Sequence, residues 1–347
     1  MASTTASAPR ASVNVGKLLT RVSMLMLGLV VVYWLGRNLI TSPTQFFSVG
    51  ITGLSNGALY ALIALGYTLV YGIIELINFA HGDLFMLGAV FSYFFLTKFL
   101  AAEGGGAHNY ALLALTLVLA MTFCATINVV IERLAYRRLR DAPKLAPLIT
   151  AVGVSFILQF IGLKWNGSAP RNFTTILPKT SFEVLGVIVP YTALIVVSLT
   201  IPLLAILVTL VNKTRQGRAM RATAQDKDAA RLMGIDVNKT ISFTFALGGA
   251  MAGAAGLMFA QSVGTVAYNL GFQLGLIAFT SAVLGGVGNL NGAVLGGFLI
   301  GVIQGFNDGL PFGPGQKWSQ TMVFTILILL MVYRPAGLLG KATTEKV

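Results

Sequence analysis

The chain has 347 residues, of which 56% are hydrophobic and only 10% charged, and its net charge is +13. A soluble domain averages about 25% charged residues, so this composition excludes a soluble globular fold and describes a polytopic membrane protein. The positive charge does not point to nucleic acid, because it is dispersed among loops between apolar runs rather than gathered on one surface.

Residues 1–16 are rich in Ser, Thr and Ala and are expected to form a disordered tail. The apolar run that follows lacks a small-x-small cleavage site and is about as long as a spanning helix, so it reads as a retained span and not a signal peptide. About 20 residues cross the hydrocarbon core. On that measure the candidate spans are 22–40, 48–74, 84–100, 110–131, 146–164, 190–211, 241–262, 274–288, 292–306 and 318–333. The two segments within 274–306 are short. As tilted helices they bring the total to ten crossings, and as a re-entrant hairpin they leave eight; either way they belong against protein and not lipid. The predicted fold class is an all-α polytopic membrane protein with about ten transmembrane helices. It forms one domain over 17–340, with a C-terminal tail at 341–347.

Basic residues set the orientation. Lys17 and Arg21 hold the start of the first span inside, Arg133, Arg137, Arg138, Arg140 and Lys144 mark a second inside loop, and Lys213 to Lys239 bound a third. Arg334, Lys341 and Lys346 place the C-terminus inside as well. On this topology 18 of the 24 Lys and Arg are cytoplasmic, and 101–109, 165–189 and 263–273 face outward. Cys124 is the only cysteine and lies within an apolar span, so an intrachain disulfide is impossible.

Two interrupted stretches share a scheme of apolar run, polar glycine-bearing break and apolar run, at 65–88 and 276–301. Matching interruptions in two halves of a chain point to a transport path. The first break contains Glu75, Asn78, His81 and Asp83. One reading makes it a pathway lining, since ionisable groups at membrane depth usually face a cavity or a partner. The other makes it a tight cytoplasmic turn, with His81 and Asp83 capping helix ends at the interface. The second break contains Gly285, Gly286, Gly288, Asn289 and Asn291, which either expose backbone to a solute or form a turn. The GxxxG pairs Gly53/Gly57, Gly249/Gly253, Gly292/Gly296 and Gly297/Gly301 read first as close helix packing. One His with one or two carboxylates falls short of a metal site, and no nucleophile accompanies them, so neither a metal, a cofactor nor catalysis is expected.

The loop 212–240 is predicted to carry a short helix, about Ala224 to Met233. Thr223 would cap its start with Asp226 three residues on, and Gly234 would sit at its left-handed end. Leu232 and Met233 beside Arg231 make a patch too small for a core, which suits a partner protein. No GxxxxGK[ST] phosphate loop occurs, so any ATP-driven step belongs to another chain.

Four stretches together resemble the LivH-type permease of bacterial branched-chain amino acid ABC importers. They are the run NGALYALIALGYTLVYGIIELINFAHGDLFMLGA at 56–89, IERLAYRRLR at 131–140, the segment GRAMRATAQDKDAARLMGIDVNKTISFTFALGGAMAGAAG at 217–256, and AVLGGVGNLNGAVLGGFLIGV at 282–302. The ending YRPAGLLG at 333–340 fits too, and the resemblance covers about residues 45–340. It implies an ABC importer permease in a bacterial cytoplasmic membrane, paired with a second related permease. Two cytoplasmic ATPases would drive it, and a periplasmic or surface-tethered binding protein would deliver a branched-chain or other neutral amino acid. The segment matching the ATPase-docking loop contains Arg218, Arg221, Asp226, Arg231, Leu232, Met233 and Gly234. Relatives for other solutes, such as amides or urea, and a self-sufficient secondary transporter are the alternatives. The N-terminal extension to about residue 44 and the outer loop 165–189 are not diagnostic.

Overall fold

The protein is described from a computed structural model, over residues 15–340 apart from 77, 100–106, 141, 144, 174–175, 178–179 and 335. In chain order the helices are α1 (Val15–Thr41), α2 (Pro43–Ile74), α3 (Ala80–Phe99), α4 (Ala107–Ile131), α5 (Leu145–Asn166), α6 (Tyr191–Lys213), α7 (Arg215–Gln225), α8 (Lys227–Leu232), α9 (Val237–Val263), α10 (Leu270–Gly285), α11 (Leu290–Gly309) and α12 (Ser319–Tyr333). All ten expected spans coincide with helices; α7 and α8 lie in the loop between α6 and α9. Helix α1 starts two residues inside the expected N-terminal tail, and the rest of that tail and the tail at 341–347 lie outside the described residues. The chain is an all-α, multi-pass membrane protein. Short strands form two antiparallel pairs: β1 (Arg171–Asn172) with β4 (Thr265–Val266), and β2 (Ser181–Val184) with β3 (Val187–Pro190).

The sequence punctuates these helices locally. Pro43 opens α2, where a missing N–H costs nothing. Asp236 caps α9 by accepting from the Lys239 amide at 3.0 Å, and that bond holds its carboxyl below the usual carboxylate range. Gly264, at φ +73°, ends α9 in the left-handed region that favours glycine.

Helix α2 is the axis of the bundle: 89% of its most apolar window is buried. It achieves this through glycines. A Cβ on Gly57 would lie 2.8 Å from Phe298 Cα of α11, and one on Gly297 would lie 2.5 Å from Ala61 Cα. The same device joins α9 to α4, where a Cβ on Gly249 would meet Ala125 Cα at 2.9 Å. Gly292 of α11 backs onto Gly285 of α10. All four GxxxG pairs therefore serve backbone contact between helices. By contrast α4, α5 and α6 bury only 22–28% of their apolar windows and present their outer faces to the surroundings.

The loops fall into two sets that match the expected alternation. β1 pairs with β4, joining the loop after α5 to the loop after α9. At the opposite end, Arg140 donates to Asn238 Oδ1 at 2.7 Å, and Asn289 Nδ2 donates to the Leu339 carbonyl at 2.7 Å.

Two outcomes follow from this packing. In a Cys124→Ala background, Glu183→Cys should react with an impermeant thiol reagent in intact cells, whereas Gln225→Cys should react only after permeabilisation; the reverse pattern would invert the topology. Gly297→Val should destabilise the purified protein by about 1–3 kcal/mol or more through overpacking against Ala61. Gly153→Ala on α5, where an added Cβ meets nothing within 4 Å, should leave the melting temperature within about a degree or two.

Candidate functional site

The first break runs from the exposed end of α2 into the interior of the bundle. Glu75 ends α2 in a left-handed conformation, φ 56°, and is exposed. Asn78 is buried, and its Oδ1 accepts from the Tyr136 hydroxyl at 2.8 Å. His81 and Asp83 are buried in the first turn of α3, so they do not cap helix ends at an interface as the turn reading required. A methyl group on Gly66 would overlap the His81 imidazole, whose ring sits 4.7 Å from that of Tyr67. Gly66 precedes the end of α2 at Ile74 by eight residues, about 12 Å at 1.5 Å per residue. Helix α3 thus begins well inside the bundle. Asp83 Oδ2 accepts from the Ser155 hydroxyl of α5, and Gln159 Nε2 donates to Ser155 Oγ at 3.2 Å. Asn78 Nδ2 has no hydrogen-bond partner among the described residues, while the His81 imidazole lies beside the Ile63 carbonyl of α2 and Asp83 beside the Gln159 amide. No group of three His, Cys, Asp or Glu that could hold a metal occurs among those residues.

The second break is a tight turn. Gly286 and Gly288 have φ of 107° and 86°, which an L side chain would strain. Asn289 Oδ1 accepts from the Gly292 amide at 3.1 Å and caps α11. The C-terminal segment closes over the turn: the Leu338 and Leu339 amides donate to the Leu284 and Gly285 carbonyls at 2.8 and 3.0 Å. Gly285 is covered by Gly292, and a Cβ on Gly286 would strike Gly340, so packing accounts for both glycines. Asn291 is exposed. The two breaks are neighbours, since Asn78, Phe279, Ala282 and Val287 line one small crevice.

The loop after α6 holds two helices where one was expected. Thr214 caps α7 through the Gly217 amide at 3.1 Å, and Asp226 caps α8 by accepting from the Asp228 and Ala229 amides at 2.9 Å. Thr223 is not a cap; it is buried on the inner face of α7. The local signal at 223–226 was real but misassigned, because Asp226 itself has the extended backbone that a cap needs (φ −156°, ψ 114°). Gly234 is left-handed at φ +80°, as expected. Leu232 and Met233 are 89% and 82% exposed, unusual for large apolar side chains outside a membrane-spanning helix. Arg231 pairs with Asp228 at 2.9 Å, Arg218 is exposed, and the Arg221 guanidinium donates to the Val211 carbonyl at the end of α6.

A family model described as branched-chain amino acid transport system / permease component matches residues 49–332. The chain belongs to that permease family. It is 37% identical over 307 residues to the high-affinity branched-chain amino acid transport system permease protein BraD of Pseudomonas aeruginosa, covering 86% of this chain and 96% of the relative. It is 33% identical over 318 residues to LivH of Escherichia coli K12, covering 87% and 98%. A probable branched-chain amino acid transport permease of Methanocaldococcus jannaschii is 28% identical over 294 residues, covering 81% and 89%. No solved structure matches.

Within this permease, two elements that sequence reasoning missed support the site. The first is a buried ionic cluster. Glu132 is fully buried and accepts from Arg137 at 3.1 Å, from Arg140, and from the Ser242 hydroxyl of α9 at 2.6 Å. It sits in a π-helical turn, Glu132–Tyr136, that ends α4 and also aims Tyr136 at Asn78. The basic run there marked topology but gave no sign of this cluster, since two acids among five bases read as a solvated loop. The second is Ser155 and Gln159, four apart on an apolar span and hence on one face of α5; that spacing was a usable signal. A cavity of about 530 Å³ separates the second break from the loop helices, with Thr68, Asn212, Arg221, Asn289 and Asn291 among its lining.

Tyr136→Phe should leave the buried Asn78 carbonyl unpaired and cost about 1–3 kcal/mol of stability, read as a lower melting temperature. Glu132→Ala should cost about 3–5 kcal/mol by stranding the Arg140 guanidinium, which is largely buried.

Proposed function

We propose that the chain is the membrane subunit of an ATP-driven importer for branched-chain or other neutral amino acids, working by alternating access in a bacterial cytoplasmic membrane. The observation that carries this reading is the near full-length match to the permeases BraD and LivH, each covered to 96% or more. The partners are a second related permease, two ATPases bound on the cytoplasmic side and a solute-binding protein on the outer side. Both termini and the loops at 132–144 and 214–236 face the cytoplasm, in keeping with their share of basic residues.

The docking element for an ATPase is the α7–α8 pair. Helix α8 has six residues and could not hold its shape alone in water, but Asp226 caps it and α7 abuts it. It presents Leu232 and Met233 outward, as an anchor for a groove would be presented, while Arg221 ties α7 to the end of α6. A push on α8 therefore reaches α6 through α7 and reaches α9 through the short link at 233–236. Solute passes near the two breaks, where the helices are discontinuous and polar groups are buried.

Leu232→Asp should detach the ATPase or uncouple hydrolysis from leucine uptake while the permease still inserts. Loss of a buried anchor costs about 2 kcal/mol or more, or roughly 30-fold in affinity. Arg218→Ala should weaken binding by only about threefold. Co-purification with the ATPase and substrate-stimulated hydrolysis read both; normal coupling in Leu232→Asp would remove α8 as the docking element.

A further inference from the structure

A second cavity, of about 400 Å³, opens on the side of the bundle between α5 and α10. Its walls carry Ser155 and Gln159 of α5, Asn269 and Gln273 at the start of α10, and the rings of Phe79 and Phe272. Ser155 is the eleventh of the 22 residues of α5, so the cleft sits near the middle of the membrane. Four polar side chains at that depth would be costly against hydrocarbon, so this face meets a water-filled path or the paired subunit and not lipid.

Asp83 stands directly behind the wall. It is 1% exposed, its Oδ2 is held by Ser155, and its Oδ1 lies against Gly271 in the first turn of α10. No basic side chain lines the cleft and no ion pair reaches Asp83 among the described residues. The N-terminus of α3 favours this acid in its first turn. Beside it begins α10, whose 16 residues start without a side-chain cap from Asn269. The first turns of α3 and α10 touch: a Cβ on Gly82 would lie 2.8 Å from Gly275 Cα, and one on Gly271 2.8 Å from Asp83 Cα. A cation-seeking carboxylate and an uncapped helix N-terminus, which seeks an anion, thus lie side by side within an aromatic and aliphatic wall.

We infer that this cleft is a mid-membrane subsite for the zwitterionic head of a free α-amino acid. The ammonium turns toward Asp83, Ser155 and Gln159, and the carboxylate toward the first-turn amides of α10. The inference rests on the amino-acid reading proposed above and assigns the residues that would recognise such a solute in transit.

The test uses the full complex with its paired permease, ATPases and binding protein in liposomes, with radiolabelled leucine as probe. Asp83→Asn and Gln159→Leu should each lower uptake at saturating binding protein by tenfold or more, with complex yield and ATP hydrolysis retained. Gln159 lies at the cleft surface, so its variant answers the question even if Asp83→Asn fails to assemble. In a Cys124→Ala background, Gln273→Cys should react with a water-soluble cationic thiol reagent, and leucine present during turnover should slow that reaction threefold or more. Wild-type uptake by Gln159→Leu, or a Gln273→Cys that the aqueous reagent cannot reach, overturns the subsite while leaving the transporter assignment standing. A wild-type complex that carries no amino acid at all overturns the functional reading itself.

Discussion

Helices immersed in lipid gain no hydrophobic advantage by touching one another, so the position of α2 depends on how closely its backbone can approach its neighbours. Glycine supplies that approach on every side. Gly53 and Gly57 admit α11, Gly66 admits the His81 ring, and Gly248 of α9 comes to the same level. Side chains at these points would push the helices apart and leave gaps that nothing else in the sequence could fill. The cost is that α2 has little freedom to shift along α11. Relative motion in the bundle has to occur elsewhere, and the less buried α5 and α6 are where the structure leaves it.

That tight centre is also what makes the first break tenable. A chain that leaves α2 at Ile74 and starts a new helix some 12 Å deeper needs protein around every exposed amide. Here α2, α9 and α10 surround it, and Tyr136 reaches in to satisfy Asn78. The buried acid, imidazole and amide of this segment are thus concentrated where backbone regularity is lost. The loop helices on the cytoplasmic side follow a different logic. They are capped locally and are largely polar, yet they keep two large apolar side chains in water.

The order and type of the helices were legible because apolar runs of the needed length are bounded by charge or glycine. The close-packing role of the GxxxG pairs was legible for a similar reason, since few other uses of that spacing exist in lipid. What the sequence could not supply was depth. His81 and Asp83 sit seven and nine residues after α2 ends at Ile74, a spacing that fits a surface turn as well as a re-entrant path; only contacts with Gly66 and Gly271 separate the two. The Glu132 cluster was invisible for a related reason, because its partner Ser242 lies 110 residues away on α9. In the loop, Thr223 was expected as the cap with Asp226 as its partner, but Thr223 belongs to the buried face of α7 and Asp226 itself caps α8.

The two-residue ladder between β1 and β4 is small, but it joins distant parts of the chain. Arg171 lies in the connection that follows α5, and Val266 lies four residues before α10 begins. The ladder makes these two stretches one mechanical unit on the face of the protein away from α7 and α8. Any load applied to the loop after α5 is delivered to the first turn of α10, and that turn rests against Gly82 and Asp83. The protein therefore has levers at both ends, one running through α7 into α6 and the other through a three-residue link into α10.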